Sequence, residues 1–328
     1  MMYFYQVLTN FSKKKFCMYF PMSVSDMVII YAIINVQQGE LMTDKNEYFK
    51  GTHDPNYGDK WTALLGNTNS ILEDIAPKTL RESHCITIDE YDDTKYMIQI
   101  YTETSPICIV YISEMIEAEK RLSLVSAYPQ LAGQKNRVQL KNTYAWDIKS
   151  EGEMAGKLID VDNEMIINFH NTLFFNDIND FKEDDIKTVS LAGLAYNISK
   201  LEEYEFPIDK GDVYKHFLEE FLKENPDKTE ADFESPVCQV SADSLRVFNP
   251  TDYTCEYSGV GQIKNIEYTT FFDTKVLIMN VDFANSDNQK PFCCNIYATE
   301  SVLGDYMPTV GDGIVTTMWL TGYFEPSK

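Results

Sequence analysis

The chain has 328 residues, with 51 acidic against 28 basic side chains and a formal net charge of −23, and it is 44% hydrophobic and 13% aromatic. That apolar content excludes a disordered chain, and the length points to two or three domains. The negative charge repels phosphate backbones and anionic lipid surfaces, so nucleic acid is excluded as an electrostatic partner and a basic protein is the expected one.

Near the start, lysines at 13–15 precede an apolar run over 27–36, which imitates a signal peptide. Pro21 and Asp26 interrupt the approach, and the run is too short to span a bilayer. A cytoplasmic protein with no membrane segment is expected, with Met22 or Met42 as alternative starts. The seven cysteines contain no C-x-x-C, and the four histidines stand far apart, so reduced thiols are expected and a structural zinc site is not.

Gly51, Pro55 and Gly58 mark a loop over 43–60, after which Leu64, Leu65, Ile71, Leu72 and Ile75 predict a helix over 61–75. Residues 84–88 and 95–101 read as a strand pair joined by the acidic turn 89–93, which lacks the glycine and terminal glutamate of a calcium loop. The continuous run at 107–112 reads as a strand covered on both faces. Met115, Ile116, Leu122 and Val125 predict a helix over 114–126 that stops before Pro129 and Gly133.

Short strands dominate from 138 onward. Met165, Ile167 and Phe169 alternate with Ile166, Asn168 and His170, which places His170 on the solvent face. Residues 201–235 differ, with 12 acidic residues against 4 lysines. Within them Val213, Tyr214, Phe217, Leu218, Phe221 and Leu222 form a helical stripe, opened by Asp212 as N-cap and ended by Asn225 and Pro226. Beyond, strands are expected over 237–248, 257–267, 275–284, 292–297 and 314–324, with Leu277, Met279, Val281 and Phe283 on one face and a short helix over 299–304.

An internal repeat emerges when Asp184 to Ala192 is laid over Asp312 to Leu320: acidic falls on acidic, Ile186 on Ile314 and Thr188 on Thr316. Upstream, Gly156, Lys157 and Leu158 answer Gly261, Gln262 and Ile263. Five short strands with a helix between the third and fourth suit an OB-like barrel. The expected fold is therefore α+β and β-rich: an α+β domain at 1–133, an OB-like β module at 134–200, an acidic helical linker at 201–235 and a second OB-like module at 236–328. The segment from Pro308 to Ile314, followed by Trp319-Leu320-Thr321-Gly322, resembles the ending of a group of uncharacterised bacterial proteins with a P-x-x-G-D-x-I then W-L-x-G pattern. The resemblance implies no activity.

The chain holds no G-x-x-x-x-G-K-[ST], G-x-G-x-x-G or G-x-S-x-G, so no catalytic, cofactor or metal residue is expected. What remains is a non-enzymatic interaction protein, an inhibitor or immunity-like factor that binds a basic protein through Glu202, Glu203, Glu205, Asp209 and Asp212. The alternative is a carboxylate-dependent hydrolase with dispersed catalytic residues.

Overall fold

Alternating runs become strands along most of the chain, and the helices between them are brief. The computed structural model describes residues 57–66, 71–91, 93–102, 106–116, 118, 121–161, 165–201, 204–207, 211–234, 237–240, 246–284 and 291–326. Helix α1 (Gly58–Leu65) buries Trp61, Ala63 and Leu64. It stops where Gly66 takes a left-handed φ of 74° and donates its N–H to the Thr62 carbonyl at 2.8 Å. This glycine cap ends the helix predicted over 61–75 early; a π-helical turn at Ile71–Ile75 then leads into α2 (Ala76–Glu82), with Pro77 in its first turn.

Strands β1 (His84–Tyr91) and β2 (Thr94–Thr102) form the expected hairpin, but its turn is shorter than 89–93: Asp89 and Glu90 lie in β1 opposite Tyr96 and Lys95, Tyr91 faces Thr94, and Asp93 takes a φ of 62° between the strands. With β3 (Ile107–Ile116) and β4 (Arg121–Leu131) they form a four-stranded sheet in sequence order. The helix predicted over 114–126 is not there. Glu114 pairs with Ser123 and Met115 with Leu122 across an antiparallel ladder. The apolar residues that suggested a helical stripe include Leu122 and Val125, which stay 44% and 37% exposed, so no buried helix face existed to favour that reading. Tertiary pairing with a strand already nucleated at 107–112 outweighed the local pattern. Pro129 lies inside β4 rather than after a helix, tolerated because β4 is a sheet edge.

Next come β5 (Gln134–Ala145), β6 (Gly152–Leu158), β7 (Ile166–Asn171), the short α3 (Phe174–Asp177) and the long β8 (Ile186–Lys200). The chain then leaves this sheet, and the described residues between 204 and 240 belong to a separate compact unit. In its described part β9 (Tyr204–Pro207) pairs antiparallel with β10 (Val237–Val240), and α4 (Gly211–Glu224) packs Tyr214 and Phe221 against Phe233 at ring distances of 5.5 and 5.3 Å. The helix ends before Asn225 and Pro226 as expected, but it starts at Gly211, so Asp212 sits in its first turn and is not its N-cap.

The chain returns as β11 (Val247–Pro250), β12 (Glu256–Phe271), β13 (Thr274–Ala284), β14 (Phe292–Thr299), α5 (Glu300–Leu303) and β15 (Gly313–Phe324). These strands join β5–β8 in one nine-stranded sheet that closes on itself twice, through β8–β5 and β12–β15. One ring runs β5, β6, β7, β15, β8 and back to β5; the other runs β12, β13, β14, β8, β15 and back to β12. In each, three strands meander, a short helix follows, the fourth strand pairs antiparallel with the first, and the third pairs parallel with the fourth strand of the other half. Strands β8 and β15 thus belong to both rings and pair antiparallel with each other.

The strand order recurs, but the residue alignment read from the sequence is displaced by one. Leu140 exchanges backbone hydrogen bonds with Asp184 and Asp185, while Ile263 exchanges them with Gly311 and Asp312. Asp184 and Gly311 are the matched left-handed residues, with φ of 68° and 96°. Ile186 therefore corresponds to Gly313, not to Ile314, and the two isoleucines face differently: Ile186 is 53% exposed and Ile314 fully buried. Nor does Gly156 answer Gly261, because β6 is the second strand of its ring and β12 the first.

The ring interiors share one core that includes Leu140, Phe169, Leu191, Ile296 and Met318. Leu277, Met279, Val281 and Phe283 all point into it, as their alternation predicted. The outer faces of β8, β14 and β15 carry Leu194, Tyr297 and Trp319 into a second core with Trp61, Tyr111 and Tyr128 from α1, β3 and β4. The step from β4 to β5 is held tightly: Gly133 donates its N–H to Ser190 Oγ at 3.0 Å, and the Tyr297 hydroxyl donates to the Ala132 carbonyl at 2.7 Å. A Cβ on Gly133 would overlap the Leu191 carbonyl, a backbone group that cannot swing away. Gly133→Ala is expected to lower unfolding free energy by about 1–3 kcal/mol; an unchanged denaturant midpoint would contradict this packing.

Candidate functional site

Strand pairing brings Glu153 on β6 directly opposite His170 on β7. His170 is fully buried, correcting its expected solvent exposure. The face it shares with Asn168 is covered, because the second core lies against it, whereas Ile167 and Phe169 fill the ring interior. The His170 ring stacks on Trp146 at 4.7 Å and on Trp319 at 5.1 Å, and Tyr128 meets it edge-on at 4.9 Å. Burial, and then the Lys60 charge, push its pKa down to about 3. The imidazole is therefore neutral at physiological pH and unsuited to shuttling protons there.

Two buried carboxyls flank this aromatic stack. Glu153 is a hub: its Oε2 accepts from Asn168 Nδ2 at 2.9 Å, from the Cys255 thiol at 3.1 Å and from the Thr254 hydroxyl, while Oε1 accepts from Trp146 Nε1 at 3.4 Å. Donors from four positions spread over more than 100 residues are thereby tied to one side chain. Burial and the Glu153 charge raise the Cys255 thiol well above its ordinary value, so it serves as a donor and not as a nucleophile.

Glu151 is different. Its Oε2 accepts a 2.6 Å hydrogen bond from Tyr57, just ahead of α1, and the carboxyl is fully buried. Because Tyr57 commits its single proton to Glu151, the 3.3 Å contact with His170 needs Nε2–H as donor, which leaves Nδ1 bare; no acceptor or donor meets Nδ1 among the described residues. Burial pushes the Glu151 carboxyl up to about 7, with the Tyr57 and Ser126 hydroxyls acting in the opposite direction.

Outside this cluster a cavity of about 700 Å³ opens between α1, residues 253–256 and the outer face of β8. Asp59, Lys60, Tyr196, Tyr253, Thr254 and Glu256 line it. Thr254 is shared, since its hydroxyl binds Glu153 while the residue forms cavity wall. The Lys60 ammonium lies 5.8 Å from the ring centres of both Tyr196 and Trp319. Burial raises the pKa of Glu256, and the Lys60 charge opposes that rise. Burial and the Glu256 charge together push the Tyr196 phenol far up. Chemically the cavity offers carboxylates, one ammonium, hydroxyls and aromatic faces: a surface for holding a polar or charged group.

Of the residues expected to bind a partner, Glu202, Glu203 and Asp209 lie outside the described residues, Glu205 falls on β9 and Asp212 in the first turn of α4. Sequence reasoning missed Tyr57, Lys60, Glu151, Thr254 and Glu256, which come together only through folding. One signal was present: Glu151 and Glu153 stand at the start of a strand whose next residues, Met154, Ala155 and Gly156, are apolar or small, and a buried acidic residue in that position must find donors. Among the described residues no group of three or more His, Cys, Asp or Glu could hold a metal ion, and no helix is long and apolar enough to cross a membrane. Compared with known proteins, the chain matches no family model, no curated protein and no solved structure.

Proposed function

We propose that this is a non-enzymatic acidic interaction protein, an inhibitor-like or immunity-like factor that captures a basic protein partner. The observation that carries the reading is the charge: a net of −23, with residues 201–235 alone holding 12 acidic side chains against 4 lysines. We also infer that each ring is an OB-like barrel, a framework suited to binding. Its support is a five-stranded Greek-key order with a helix between third and fourth strands; its departure is that the fifth strand of each ring is the fourth of the other. The hydrolase alternative has one observation on its side, the Glu151 carboxyl at about 7. Against it, Glu151 is fully buried and is not among the residues that line the cavity described above.

The test is association with a captured basic partner in stopped flow. Steering by like charges acts on the on-rate and is screened over roughly 8–10 Å at physiological salt. Replacing Glu202, Glu203, Glu205, Asp209 and Asp212 together by Gln or Asn is expected to slow association by about tenfold at low salt and to flatten its salt dependence. An unchanged on-rate and salt slope would remove this strip from the binding surface.

A further inference from the structure

We propose that the cavity between α1 and residues 253–256 is a receptor for a guanidinium group, the point at which an arginine of the basic partner is held; this rests on the proposed function. At about 700 Å³ the cavity lies within the size range of small-ligand sites and exceeds what one arginine side chain needs. Its wall carries two carboxylates, Asp59 and Glu256, against one ammonium, Lys60, so its formal charge is negative.

The aromatic lining points the same way. Tyr196 and Trp319 already hold the Lys60 ammonium at 5.8 Å from each ring centre, which shows that these faces accept a cation. That ammonium-sized seat is filled from within. What stays open is Tyr253, 59% exposed, which lines the same cavity as Glu256. A planar, weakly hydrated cation that stacks on a phenol while forking a carboxylate fits this pair, and a compact, strongly hydrated ammonium does not. Partial burial penalises the Glu256 carboxylate, the Lys60 charge and the Tyr196 hydroxyl offset part of that penalty, and a guest cation offsets more of it.

The experiment is calorimetric titration of the full chain with N-acetyl-L-argininamide, N-acetyl-L-lysinamide and N-acetylglycinate. Saturable binding of the argininamide alone is expected, weakened about tenfold by Glu256→Gln and several-fold by Tyr253→Ala. Lys60→Met, which keeps the apolar stem, is expected to strengthen it about threefold by removing a like charge. Thermal midpoints of each variant separate loss of binding from loss of fold, and the exposed Tyr253 provides a variant that leaves the core intact. Equal binding of the lysinamide, or acetylglycinate binding that Lys60→Met abolishes, would overturn the assignment. So would the absence of saturable binding by any of the three. A basic partner whose affinity ignores Glu256→Gln and Tyr253→Ala overturns the cavity assignment but leaves partner capture standing. Glu256-dependent argininamide binding with no basic partner captured upholds the cavity and sinks partner capture.

Discussion

Ending the chain at residue 312 is expected to unfold both halves of the nine-stranded sheet, not only the half that loses a strand. Strand β15 is the fourth strand of the ring that starts at β12 and also closes the ring that starts at β5, through β7 and β8. Its removal strips cover from Phe169 and Leu191, which are fully buried in the shared core with Met318 and Leu320. Exposing one such side chain costs about 1.5–3 kcal/mol, and a whole domain is stable by only about 5–15 kcal/mol. Several exposed at once leave nothing to hold the first ring. Two separate modules predict the opposite, with residues 134–200 folded after truncation. Hydrogen exchange read at β5, β6 and β7 decides between them: loss of protection is expected, and native-like protection in the truncated chain would show that the rings are independent.

The same sharing explains what could be read from the sequence and what could not. Local features were legible: the pairing of the two strands around the acidic residues, the helix stop at Asn225 and Pro226, and the face formed by Leu277, Met279, Val281 and Phe283 all follow from spacing within a few residues. Wherever a distant segment decided the outcome, local reading failed. Residues 114–126 look helical until β2 and β4 supply ladder partners on either side of β3. His170 looks solvated until Trp146 and Trp319 stack on it. A recurring β pattern was visible, but the register of the recurring strand order was not, since the composition of a strand pair changes little on a one-residue slip while every side chain changes face. The candidate site draws on positions 57, 60, 151, 196 and 254, and no window of sequence contains them together.

Glu151→Gln is expected to stabilise the protein by about 3 kcal/mol at pH 8 and to leave stability almost unchanged near pH 4.5. The native carboxyl titrates at about 7, against 4.5 for an ordinary glutamate. Raised in the fold, it contributes stability that is fully present below the unfolded value and is lost as pH climbs through 7. A tenfold change in acidity corresponds to about 1.4 kcal/mol, and the enclosed position leaves little solvent screening. Glutamine still accepts the Tyr57 proton but cannot ionise, so the variant keeps at high pH what the natural chain gives up. The difference between the two denaturation curves, taken across about pH 4–9, isolates this group from the other carboxyls. A constant difference over that range would mean that Glu151 titrates alike in the folded and the unfolded chain.

Partner capture stands or falls on a pull-down with a salt gradient. The full chain and the five-fold variant at Glu202, Glu203, Glu205, Asp209 and Asp212 are each immobilised, exposed to lysate of the organism of origin at low salt, and washed at rising salt. The expected result is a discrete partner of high isoelectric point, retained by the full chain, released as salt screens the field, and held much less by the variant. Retained proteins no more basic than the lysate, or a partner held equally by both forms and through high salt, would refute capture by the acidic strip.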